Sequence, residues 1–108
     1  MQDDNQTFIP RSFIELFITP GTTRPREGRA FIAARHELCE DMAQMLTEHA
    51  KAQLFELGVA EQDVLERVQR GLLVDGSVVT PEEAEWVARR LAELLDWAAL
   101  PASSIPPA

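Results

Sequence analysis

Apolar and polar positions alternate with different rhythms along the chain, and the changes of rhythm mark its elements. The stretch "IPRSFIELFITPG", positions 9–21, crowds three isoleucines, two phenylalanines and a leucine around Glu15. Ser12 and Glu15 have the S-x-x-E spacing of a capping box, in which each side chain satisfies a free backbone N–H at a helix start. The spacing predicts one or two helical turns over Phe13–Ile18. The high content of β-branched and aromatic residues keeps a strand open as the alternative. Thr19-Pro20-Gly21 stops the segment, and "TPGTTRPREG" at 19–28 reads as a loop by its Pro and Gly content.

A long helix is predicted next, starting between Pro25 and Arg29 and ending at Leu57, with Gly58 as the left-handed residue that closes it. At about 100° per residue, Phe31, Ile32, Leu38, Cys39, Met42, Met45, Leu46, Ala50 and Leu57 gather on one stripe. His36, Glu37, Glu40, Asp41, Gln44, Thr47, Glu48 and Lys51 take the other side. His49 falls near the centre of the apolar stripe, while Leu54 and Phe55 stand on the polar side near the helix end. A second helix over Glu61–Leu72 buries Val64, Leu65, Val68 and Leu72. "LLVDGSVV" carries the Asp-Gly signal of a hairpin, but its arms are short and an isolated hairpin is marginal. It reads as a helix-to-helix turn with some extended structure. In "TPEE", Thr80 is an N-cap, Pro81 occupies the first helical position and Glu83 completes a capping box. That last helix is predicted to reach about Ala98, with Ala84, Val87, Leu91, Leu94, Leu95 and Ala98 inward. Trp86, Arg90 and Trp97 line one flank, beside Glu93. Residues 1–7 and 99–108 read as loose ends.

The expected fold is all-α, one small domain over 1–108: a long central helix, two shorter helices and a short apolar N-terminal helical segment packed on them. The long helix would extend about 43–50 Å, whereas a compact chain of this length is only about 35 Å across. Neither later helix is long enough to cover it. The opening segment, folding back through the Pro-Gly loop, or a second copy of the chain must cover the remaining apolar stripe. We therefore expect a homodimer in which Phe13, Ile14, Leu16 and Phe17 bury against the stripe of their own chain or of its mate.

Composition narrows the setting. The chain has 108 residues, 45% of them apolar, and a formal net charge of −8. No apolar run approaches the ~18 residues of a membrane span, and "MQDDNQ" is unlike a secretory leader; the expected location is the cytoplasm, with no membrane partner. Charge is uneven. Residues 11–35 hold five arginines against two glutamates, and residues 36–108 hold five bases against fourteen acids. A nucleic-acid partner, engaged through Arg24, Arg26, Arg29 and Arg35, is the least favoured class, because most of the chain repels phosphate.

Candidate chemistry is sparse. Lys51 is the only lysine and lies in no Gly-rich phosphate loop, and no Gly-x-Gly-x-x-Gly is present. His36, Glu37 and Glu40 fall within about one helical turn, and His36 and Glu40 share a face. The Glu-x-x-His repeat of helical di-iron proteins is missing, and the group reads as a solvated acidic face. Cys39 is the sole cysteine, so an intrachain disulfide and a cysteine-built zinc site are excluded; three residues after His36, it is a remote nucleophile candidate. His49 reads as a core or interface histidine. No catalytic residue, metal ligand or cofactor is assigned. A metal-dependent or histidine-based enzyme using His36, Glu37, Cys39, Glu40 or His49 is the alternative to a binding role. The interface candidates are Phe13, Ile14, Leu16, Phe17, Phe55, Trp86, Arg90 and Trp97, since Trp and Arg concentrate at binding hot spots.

Taken together, "IPRSFIELF", "RHELCEDMAQMLTEHA" and "GLLVDGSVVTPEEAEWVARRLAELLDW" resemble a family of short, functionally uncharacterised proteobacterial proteins of about 100 residues. The resemblance covers nearly the whole chain. Members are sometimes labelled automatically "ATPase with chaperone activity". The missing phosphate loop stands against the ATPase half of that label, and the resemblance brings no functional residues with it. The expectation that follows is a small cytoplasmic adaptor, regulator or chaperone-like accessory that acts by binding an unidentified protein.

Overall fold

The computed structural model describes residues 8–74 and 76–97. The fold is all-α. Helix α1 (Arg11–Ile14) runs into a 3₁₀ turn at Glu15–Phe17, followed by α2 (Arg29–Leu57), α3 (Glu61–Gly71) and α4 (Pro81–Leu95). Among the described residues there is no strand, only an isolated antiparallel bridge between Ile18 and Pro25. The chain forms two compact units that meet in sequence within α2, one ending at Leu38 and the other beginning at Cys39.

In the first unit, Pro10 takes the cap position of α1 in an extended conformation. Its carbonyl accepts from the Phe13 and Ile14 amides at 3.0 and 3.2 Å. This start corrects the expected capping box. A cap residue must be extended, and Ser12 already lies inside the helix; Glu15 instead pairs with Arg11 at 3.1 Å. The chain then reverses. Thr19 O accepts both the amide of Thr22 (3.0 Å) and its hydroxyl (2.7 Å), and Gly21 supplies a φ of +90°. The Arg26 amide donates to Phe17 O at 2.7 Å, which returns the chain to the start of α2. An aromatic cluster fills the fold-back. Phe13 lies 5.5 Å from Phe17 and 5.3 Å, edge to face, from His36, and Phe17 lies 6.1 Å from Phe31. The opening segment thus packs on α2 of its own chain, through Phe13 and Phe17.

The second unit is a three-helix core. Ala50 of α2, Val64, Leu65 and Val68 of α3, and Leu91 and Ala92 of α4 are buried together, with Leu46, Leu54, Val59, Leu72, Leu95 and Trp97 packed around them. Along α2 the buried positions are Ile32, His36, Cys39, Ala43 and Ala50. At about 100° per residue they fall within roughly 60° of one another, so they form one narrow seam. The seam is rotated by roughly a sixth of a turn from the expected stripe. Leu54 belongs to the core, not to the polar side, and His36 is buried, whereas Phe31, Met45, His49 and Leu57 are exposed. The cause is size. Alanine contributes little to an apolar pattern but allows helices to approach closely, so Ala43 and Ala50 define the seam while larger side chains face outward.

The helix ends follow the local rules. Gly58 closes α2 with a φ of +66°. At α4, Thr80 Oγ1 accepts from the Glu83 amide at 3.1 Å and the Glu83 carboxylate accepts from the Thr80 amide at 3.0 Å, forming the expected box. Helix α4 stops at Leu95, short of the expected end; Ala98 lies outside the described residues. Asp96 adopts the left-handed conformation (φ 59°), and the Trp97 amide turns back to Ala92 O at 2.9 Å. This is the Schellman arrangement, which satisfies terminal carbonyls and ends a helix. Residues 72–74 and 76–80 hold turns and bends and no strand, in line with the turn reading. Ser77 Oγ bonds the Leu72 carbonyl and accepts from the Val79 amide at 3.1 Å.

Candidate functional site

The residues singled out in the sequence separate into buried, paired and outward groups. Phe13 and Phe17 are buried and Ile14 and Leu16 half-buried, so the aromatic anchors of the opening segment are engaged within their own chain. Trp86 is buried and offers no free surface; Trp97 is half-buried against the second unit's core. Both indoles, named from the sequence as interface candidates, are thus covered at least in part. A turn of α4 that is buried on more than one side, with Ala84, Val87, Ala88 and Leu91 also covered, draws in Trp86 as well.

Arg90 is the polar exception on α4. Its Nε and Nη2 donate to the two carboxylate oxygens of Glu40 at 2.8 and 3.0 Å, and its Nη1 donates to Glu93 at 3.0 Å. Gln44 donates to the same Glu40 carboxylate at 2.8 Å. This two-pronged contact fixes α4 to α2 in both position and orientation, since a guanidinium fork matches a carboxylate in one geometry. The hydrogen bond to Glu40 is the main reason that the Arg90 guanidinium holds its proton more tightly than an ordinary arginine.

The residues of the enzyme alternative do not assemble. His36 is buried and edge to face with Phe13, Glu37 is exposed, and Cys39 is buried. Glu40 is bound to Arg90, and His49 is exposed. Among the described residues, no three of His, Cys, Asp and Glu converge as metal donors. No helix among them is long and apolar enough to cross a membrane.

Among the described residues, two features stand out for a ligand or partner. The outward face of α2 in the second unit carries Met45, 73% exposed, and Phe55, 88% exposed. With Ala52 between them, their spacing of seven and ten residues places all three within about a quarter of the helix circumference. Phe55 was legible as an apolar residue on the polar side; Met45 was assigned to the buried stripe and missed. The second feature is a cleft of about 450 Å³ in the first unit, lined by Ile9, Ile14, Arg24, Pro25, Glu27, Arg29 and Ile32. Its isoleucines come from both sides of the fold-back, so only the closure of the loop reveals it. No protein-family model, curated protein or solved structure matches the chain.

Proposed function

We propose that the protein works by binding another polypeptide, as an adaptor, regulator or chaperone-like accessory of the cytoplasm. Its contact surface is the outward face of α2 around Phe55 and Met45, and a second copy of the chain is its first occupant. The observation that carries this reading is the exposure of Phe55, 88% on a helix whose opposite side already fills a core. A helix that needs only one apolar face places charged or polar residues on the other. The face is suited to a two-fold contact, in which each copy presents the same patch to the other.

The magnitudes favour a reversible dimer. Each large apolar side chain removed from water contributes roughly 1.5–3 kcal/mol. Two from each copy give roughly 6–12 kcal/mol, against an association cost of about 4–15 kcal/mol. Light scattering tests the dimer directly. The chain mass is 12.1 kDa, so a dimer weighs 2 × 12.1 = 24.2 kDa. We expect that mass for the wild type and 12.1 kDa for Phe55→Glu with an unchanged helical circular dichroism spectrum. Wild-type protein that remains monomeric at every accessible concentration sinks the dimer. A partner retained equally by wild type and Phe55→Glu removes this face from the function.

A further inference from the structure

We propose that the cleft of the first unit binds a small aliphatic monocarboxylate, with the hydrocarbon on Ile9, Ile14 and Ile32 and the carboxylate between Arg24 and Arg29. The cleft volume, about 450 Å³, lies within the range of small-molecule sites, roughly 300–1,000 Å³. Ile9 and Ile32 are buried and Ile14 is half-buried, so the floor is already formed. The side chains of the three isoleucines and Pro25 supply no hydrogen-bonding group to that floor, which favours a hydrocarbon chain.

The rim supplies the charge. Arg24 and Arg29 both line the cleft and form no ion pair among the described residues. Other arginines are committed: Arg11 to Glu15, Arg89 to Glu85 and Arg90 to Glu40. Arg29 is also the first residue of α2, so the positive end of that helix lies at the same rim. Guanidinium groups match a carboxylate with two parallel donors. Glu27 stands on the rim as well and leaves the three charged groups with a net +1. One negative charge balances that net +1, while a doubly charged phosphate leaves a net −1 and must shed far more hydration on entry, which favours the monoanion.

This site is independent of the α2 face, and its test separates the two. Protein labelled in its isoleucine methyls is titrated with octanoate and observed by nuclear magnetic resonance. Octanol tests the chain without the charge, acetate the charge without the chain, octyl phosphate the heavier charge, and a short peptide ending in leucine the carboxylate of a protein terminus. We expect saturable shifts of the Ile9, Ile14 and Ile32 methyls with octanoate, and binding at least about tenfold weaker with each of the other probes. The double variant Arg24→Gln, Arg29→Gln should weaken octanoate at least about tenfold with its circular dichroism unchanged, while Phe55→Glu should leave it unaltered. Absence of saturable shifts at these methyls, equal binding of octanol, preference for octyl phosphate or the peptide, or an unaffected double variant each overturns the proposal.

Discussion

Arg90 ties α4 to α2 in the second unit through one side chain. It is half-buried, bonded to both oxygens of Glu40 and tied to Glu93 within its own helix. Partly buried, charge-assisted pairs of this kind are stronger than exposed ones, whose worth is about 0–1 kcal/mol. We expect Arg90→Gln to lower stability by about 1–2 kcal/mol, the low end of the roughly 1.5–3 kcal/mol for hydrogen bonds to a charged partner, since both side chains are partly exposed. In melting temperature that is a loss of about 5–10 °C for a domain of this size. The pH dependence has a definite sign. A basic group whose folded pKa is raised stabilises fully below its unfolded pKa, and the contribution is lost only as pH rises through the folded value. Arg90 is raised, chiefly by Glu40. The difference in melting temperature between wild type and Arg90→Gln should therefore be constant from about pH 7 to about pH 10, far below the arginine range; a difference that shrinks across that interval refutes the assignment. Arg90 was visible in the sequence as an off-stripe residue, but its partner was not. Fifty positions separate it from Glu40, and nothing local links them. The two histidines exchanged roles for a related reason, because a rotation of α2 that alanines allow puts His36 inside and His49 outside.

Helix boundaries were the most legible level, because they are written in local chemistry. Thr80, Pro81 and Glu83 announce the start of α4, and Gly58 announces the end of α2, within a few residues of the event. We expect Thr80→Ala to cost about 1 kcal/mol, the usual worth of an N-cap, and Gly58→Ala to cost about 1–2 kcal/mol through its left-handed backbone. Urea denaturation with an unchanged slope would show that each acts on stability alone; a cost near zero at Thr80 would mean that the box is not formed in solution. Where the sequence misled, two local signals competed. The S-x-x-E spacing at Ser12 lost to Pro10, whose carbonyl already accepts the first helical amides. The end of α4 was set too late because Asp96, and not a glycine, takes the left-handed position. The cleft belongs to this level too. Its residues were read separately, as loop arginines and apolar segment, until the fold-back joined them.

For the molecule as a whole, the formal charge of −8 sets how any self-association must respond to salt. Two copies brought face to face through Met45 and Phe55 also bring together two acidic chains, and the exposed flank of that face includes Glu48 and Glu56. Burial of the apolar side chains attracts at short range, while like charges repel at longer range. Salt weakens only the second term, since the screening length falls from about 30 Å at 0.01 M to about 10 Å at 0.1 M. The proposed dimer should therefore tighten as salt is added across that interval, and its melting temperature, which rises with protein concentration for any associating chain, should rise with salt as well. A nucleic-acid complex behaves in the opposite way, because each phosphate neutralised by a cation releases a counterion and binding weakens with salt. Sedimentation at low and moderate salt thus separates the two readings by the sign of one slope. A dimer that dissociates as salt rises would mean that ion pairs, not Phe55 and Met45, hold the copies together. The Phe55→Glu chain provides the internal control: it should sediment as a monomer at both salt concentrations, because removing the apolar contact and adding one more negative charge leaves repulsion with nothing to oppose it.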